Sequence, residues 1–378
     1  MTEWLCCQLG AREHYAVPRA LRRSGSLGEV ITDIWSSTFR RFHPELADAR
    51  VTAHNVAALT FELRASLWRE NGWKLITRRN EWFQRHAVRQ LASAGKNGNH
   101  TVFAYSYAAE QIFEFAKMRG WRTVLGQIDP GPAEERIVAG LHEKFGSAWE
   151  AAPKEYWDRW RAECELADQI VVNSAWSRDA LLAEGVPTDK IRVVPLAYET
   201  AERSFERQYP QTFNSERPLR VLFLGQINLR KGIGQLLDAV KLLAGEDVEF
   251  WLVGPRQMEI FHHPQIKSFG AVRRLDVDKY YRDADVFILP TLSDGFGLTQ
   301  LEAQSWKLPV IASRHCGEVV CDRVNGVILE EVSGQAIANV LLGFLRSPET
   351  LNAMSTRSGV SERFSLKALA ASLHDLND

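Results

Sequence analysis

Short apolar runs of about four to six residues recur along the chain, most of them followed by glycine or proline and then by a segment of helical period. Runs this short, apolar at successive positions, are the pattern of strands buried on both faces of a parallel sheet. They fall at 4–9, 101–105, 121–126, 169–174 and 191–196, and again at 219–224, 248–253 and 286–289. Helices are predicted between them over 13–22, 108–119, 155–167 and 176–184, and near the end over 334–345 and 365–373. Strand and helix in alternation predict an α/β, doubly wound architecture.

The rhythm breaks once, at the polar, proline-containing stretch before Leu219. At 378 residues the chain exceeds what one hydrophobic core usually holds, so two domains are expected. The predicted divisions are 1–205, a linker 206–218, 219–360, and a terminal segment 361–378.

Two strand–loop–helix passages carry the chemistry. After the run at 286–289 come Pro290, then Asp294, Gly295, Phe296, Gly297 and Leu298, with a helix expected to open near Gly297 and Glu302 one to two turns into it. The first amides of a helix lack partners, and glycine lets a ligand approach the backbone, so this order suits phosphate. Asp294 and Glu302 flank the turn, and a carboxylate at Glu302 can accept two ribose hydroxyls. The second passage, after 219–224, is Gly225, Gln226, Arg230, Lys231 and Gly232. In the first domain Gly10 and Asp129 stand at carboxyl ends of strands, where open α/β sheets collect ligands.

The span from Asp294 to Glu302, continued by Ala303 and then Pro309-Val310-Ile311-Ala312-Ser313, resembles the signature of retaining glycosyltransferase family 4, the glycosyl transferases group 1. The resemblance implies the GT-B fold: two Rossmann-like domains facing a cleft, with the last helix crossing back to the first domain. It implies a hexosyltransferase-type enzyme of polysaccharide biosynthesis. Such an enzyme moves a sugar from a nucleotide diphosphate sugar to a carbohydrate or lipid-linked acceptor with retention of configuration. By the same resemblance Lys231 holds the donor diphosphate, Gly10 faces the donor phosphates, and the backbone around Gly254 and Val272 reads the base. The amides from Gly295 to Leu298 belong to the donor site, Glu302 grips ribose, and Asp294 holds sugar hydroxyls. Asp294 stands where the family usually has Glu. Gln226 replaces an Arg, removing one cation, for which Arg230 is the candidate substitute. Ile128 stands where relatives carry a His, and Asp129 is the neighbouring catalytic candidate. No cofactor is implied, and no Asp-x-Asp at a strand end offers a metal site. The three departures leave a non-catalytic nucleotide-sugar-binding protein as the alternative, with a nucleotide-sugar epimerase as another enzyme on the same fold.

Composition changes this picture little. Hydrophobic residues at 45%, charged residues at 25% and a net charge of −1 describe an ordinary globular chain with no field directed to nucleic acid. The five cysteines have neither disulfide-framework nor zinc spacing, and no apolar run reaches membrane-spanning length, so a cytoplasmic location is expected. Between 35 and 95, however, ten Lys or Arg stand against five Asp or Glu. Arg78, Arg79, Arg85 and Arg89 recur near Trp82 and Phe83. The segment is either an amphipathic helix with solvated arginines or, through 64–89, a peripheral contact with anionic lipid at the inner face of the membrane.

Overall fold

A computed structural model describes residues 2–36, 38, 42–93, 99–199 and 205–377. Two parallel sheets organise them. The first joins β1 (Glu3–Gln8), β2 (Leu27–Thr32), β3 (Val51–Ala53), β4 (His100–Tyr105), β5 (Arg122–Gly126), β6 (Gln169–Val172) and β7 (Ile191–Val193) in the order 3-2-1-4-5-6-7. The second joins β8 (Leu219–Leu224), β9 (Val248–Val253), β10 (Ile266–Gly270), β11 (Val286–Leu289), β12 (Val310–Ala312) and β13 (Gly326–Ile328) in the order 10-9-8-11-12-13.

Each order reverses once, between β1 and β4 and between β8 and β11. Crevices for ligands open at the carboxyl ends of strands at such points. In register, Val286 pairs with Val221 and Phe287 with Leu222, so β8 and β11 end side by side. All four residues of β11 are buried, as the unbroken apolar run predicts. The loops leaving β1, β5, β8 and β11 therefore confront one another across a cleft.

The last helix, Leu366–His374, lies in the core of the first domain, where Leu366, Leu369 and Leu373 pack with Trp4, Val17 and Leu21. Its turn toward that domain is fixed by Tyr198 N–H donating to Phe364 O at 2.9 Å and Leu366 N–H donating to Glu199 Oε1 at 3.1 Å. The predicted linker is fastened to the second domain. Arg207 donates to Trp306 O at 2.8 Å and to Ala284 O at 2.5 Å, and Arg217 pairs with Asp285 at 2.6 Å. Positions 200–204, at the end of the first predicted segment, lie outside the described residues.

One local expectation needs correction. The helix predicted from 13 begins at Ala16, because Glu13, His14 and Tyr15 take left-handed φ values of 49°, 55° and 57°. That turn drives Tyr15 into a cluster with Val30, Trp35 and Leu46, while Tyr105 OH donates to Glu13 Oε2 at 2.9 Å. Burial of Tyr15 overrides the local helical pattern. The basic helix is Gly72–Leu91, with Trp82 and Phe83 buried and Arg78 and Arg79 paired to Glu70 and Glu62. Exposed apolar residues instead lie just before it, at Leu63, Leu67 and Trp68.

Candidate active site

A cavity of about 420 Å³ occupies the cleft. The second domain contributes Gly225, Gln226, Arg230, Lys231, Asp294 and the turn from Phe296 to Thr299. The first contributes Arg12, Glu13, Ile128 and Asn173. Close approach of the domains is enforced at Gly295, where an added Cβ would stand 2.1 Å from Ile128 O. Ser293 OH donates to Glu134 Oε2 at 2.8 Å across the same gap, and Arg274 meets His14 at 3.1 Å.

Lys231 comes into the cleft because Gly232, at φ 75°, passes so near Pro290 O that a Cβ would be 1.9 Å away. The Lys231 ammonium pairs with Asp294. Burial opposes charge on Asp294, but Lys231 and Arg230 outweigh it and hold its carboxyl below the usual range. Arg230 is itself engaged, donating to Ser293 O at 2.8 Å and facing Glu134 at 3.4 Å. Arg12 makes no hydrogen bond or ion pair among the described residues; its guanidinium rests 5.9 Å from the Tyr105 ring centroid. Among the described residues that line the cavity it is the cation without an ion-pair partner.

The helix opens near Gly297 as expected, at Thr299–Ser305 with Leu298 as its N-cap, but Glu302 sits in its first turn instead of one to two turns down. Gly297 at φ 78° cannot be helical, which delays the start. A helix of seven residues has a weak dipole, so anion binding here depends on Lys231, Arg12 and the loop amides of Gly297 and Leu298. Glu302 accepts Tyr281 OH at 2.7 Å, and burial raises its carboxyl against the pull of Tyr281 and Arg274. It is not among the residues that line the cavity.

Other named candidates lie elsewhere. Gly10 donates its amide to Asp33 at 2.9 Å at the rim of β1. Gly254 donates to Gly270 O at 2.8 Å and lies behind Gly225 of the cavity wall, where an added Cβ would stand 1.9 Å from Gly225 O; Val272 packs on the second core. Asp129 turns away from the phosphate cavity into a neighbouring one of about 830 Å³, where Tyr107 OH donates to its Oδ1 at 2.5 Å. Sequence reasoning missed Arg12, Tyr281 and Glu134. Arg12 carried one available signal, a cation two residues beyond Gly10 in the first strand-to-helix loop. Glu134 carried none; burial, with Asp129 and Asp294 adding to it, pushes its carboxyl up to about 7 against Arg230 and Ser293.

Residues 218–347 match the family described as Glycosyl transferases group 1. The amylovoran biosynthesis glycosyltransferase AmsK of Erwinia amylovora is 27% identical over 50% of this chain and 49% of its own. The chain thus spans about half the length of the first curated relatives it matches. A D-inositol 3-phosphate glycosyltransferase of Xylanimonas cellulosilytica is 27% identical over 95% of this chain and 88% of its own. Among solved structures, Anabaena Alr3699/HepE in complex with UDP superposes with a TM-score of 0.65 at 14% identity, covering 99% of both chains. Sucrose-phosphate synthase of Thermosynechococcus elongatus gives 0.69 at 16% identity over 99% and 98%. The two facing parallel-sheet domains are the GT-B fold.

Proposed function

We propose that the protein transfers a hexose from a nucleoside diphosphate sugar to a carbohydrate or lipid-linked acceptor, with retention at the anomeric carbon. The observation that carries this reading is the cavity of about 420 Å³ at two facing switch points, lined by Lys231 and Arg12 together with the turn at Gly297 and Leu298. The C1–O bond to the diphosphate breaks as the acceptor oxygen bonds to C1. Lys231 and Arg12 stabilise the charge that develops on the leaving diphosphate, the site's main contribution to rate. On the retaining reading the acceptor approaches on the leaving-group face, and a diphosphate oxygen takes its proton. Asp294, freed from Lys231 when the diphosphate binds, holds sugar hydroxyls, and Glu302 with Tyr281 takes the ribose.

Charge is met by side chains, so the reading includes metal-independent turnover without a cofactor. HepE was solved with UDP and with UDP-glucose, which makes uridine the first base to try. The reading also includes a cytoplasmic enzyme touching anionic membrane through 64–89. Exposed Leu67 and Trp68 beside exposed Arg64 and Arg69 support that contact, and no helix among the described residues is long and apolar enough to cross a membrane.

Calorimetric titration with UDP, GDP, ADP and dTDP, with and without EDTA, tests the donor site. Proton NMR of the product formed from the matching nucleotide sugar reads the anomeric configuration. Tight binding without turnover on any acceptor would leave a binding protein, and inversion would remove the retaining step.

A further inference from the structure

A second cavity adjoins the phosphate cavity and shares Arg230 with it. Its volume, about 830 Å³, is within the range of small-molecule sites and exceeds what the diphosphate cavity alone provides. One wall is a continuous aromatic surface. Tyr107 and Tyr156 stack with centroids 4.9 Å apart and planes inclined by 19°. Trp73 lies 4.9 Å from Tyr156, and Trp157 lies 5.2 Å from it at 81°.

These rings are held in place before any ligand arrives. Trp157 Nε1 donates to Glu135 at 2.6 Å, and Trp73 Nε1 donates to Glu150 O at 3.2 Å. Tyr107 has φ 74°, a strained value for a residue with a side chain. Its amide donates at 2.6 Å to buried Glu163, which also takes the Ala109 amide at 2.7 Å. Fixed rings with little entropy left to lose make an effective binding surface.

The polar part of the cavity is acidic. Asp129, Glu134, Glu135 and Glu259 line it, against His142 and Arg230, the latter already serving Ser293 O and Glu134. Asp129, one of the lining residues, receives hydrogen bonds from Tyr107, Gln127 and Gly131 on Oδ1, and no hydrogen bond among the described residues reaches its Oδ2. Flat apolar faces suit the C–H faces of a pyranose, and free carboxylate oxygens suit its hydroxyls. A carboxylate, sulfate or phosphate on the ligand would meet mostly like charge, the one arginine among the described lining residues being already engaged.

We propose that this cavity is the acceptor site and that it selects an uncharged saccharide, rejecting uronic acids and phosphorylated or sulfated sugars. The assignment of acceptor rests on the transfer reading above; the saccharide selection does not. The site acts by stacking and hydroxyl recognition on the first-domain side, so that the reactive hydroxyl points past Asp129 and Arg230 toward the donor.

The test is a printed array of neutral, acidic and amino saccharides probed with labelled full-length protein in the presence of UDP, followed by tryptophan-fluorescence titration with the retained glycans. Neutral glycans are expected on the array. In Tyr156→Ala their affinity should fall about tenfold or more, as loss of one stacked ring implies, while UDP affinity stays within about twofold. Glu259→Lys, on an exposed position, should admit acidic glycans that the parent rejects. Preferential retention of acidic glycans, or no glycan retained while UDP binds normally, overturns the proposal and leaves the donor site standing. Neutral glycans retained without any nucleotide binding would instead sink the transfer reading and keep the saccharide site.

Discussion

Arg12 is the sharpest test of how the donor is gripped. The family resemblance of the sequence implies an Arg where this chain has Gln226, and both Gln226 and Arg12 line the same cavity from opposite domains. If Arg12 supplies the missing cation, Arg12→Ala removes a charge-assisted hydrogen bond worth about 1.5–3 kcal/mol. That corresponds to a loss of UDP affinity of about tenfold to a hundredfold. A guanidinium acting only through solvent at about 10 Å would contribute about 0.4 kcal/mol, or roughly twofold. The two cases are separable by calorimetry. Because Arg12 has no ion-pair partner among the described residues to abandon, the variant should melt within a degree or two of the parent. Arg12→Ala/Gln226→Arg returns the cation from the other side and should recover most of the affinity. UDP binding by Arg12→Ala within twofold of the parent would refute the assignment, and so would a double variant no better than the single one.

Lys231→Ala should abolish transfer and cost about 3 kcal/mol of stability, since it strands buried Asp294; Lys231→Ala/Asp294→Asn should regain melting temperature but not turnover. Glu302→Ala should abolish transfer with the fold intact by circular dichroism, whereas Tyr281→Phe should weaken UDP binding by less than about tenfold. Gly295→Ala should separate the domains, because its Cβ would meet Ile128 O at 2.1 Å, giving a larger radius by small-angle scattering and reduced turnover. Burial raises Glu13 and Glu134 to about 7 and Glu163 to about 8, so the folded state keeps protons that the unfolded state has released, and stability falls as pH rises toward 8. Burial lowers His14 and His43 to about 4, which works the other way, stability rising from about pH 4 to 6.5; the net decline should therefore show chiefly between pH 6.5 and 8 in melting curves and be shallower in Glu134→Gln.

Much of the architecture was legible from local pattern. Val286–Leu289, Leu219–Leu224 and Val248–Val253 read as strands because burial on both faces demands uninterrupted apolar residues, and the structure has them with those bounds. The loops bearing Lys231 and Asp294 were equally legible, since a turn at a strand's carboxyl end needs glycine within a few residues. Less was legible where distant segments compete with local preference. The helix at 13 fails because Tyr15 is buried against Trp35, and the one near Gly297 begins late because Gly297 is left-handed.

Chain order alone thus determined strand, helix, the two switch-point loops and the glycines that let backbone approach a ligand. The tertiary structure decided which charges meet. Lys231 pairs with Asp294 across 63 positions, Ser293 reaches Glu134 across 159, and His14 meets Arg274 across 260. It also decided that Asp129 serves the aromatic cavity and that Arg12 enters the phosphate cleft. The physical reason is range. Backbone preference and hydrophobic period act within a few residues, whereas charge pairing, burial and cavity shape depend on surfaces that exist only once the two sheets have packed.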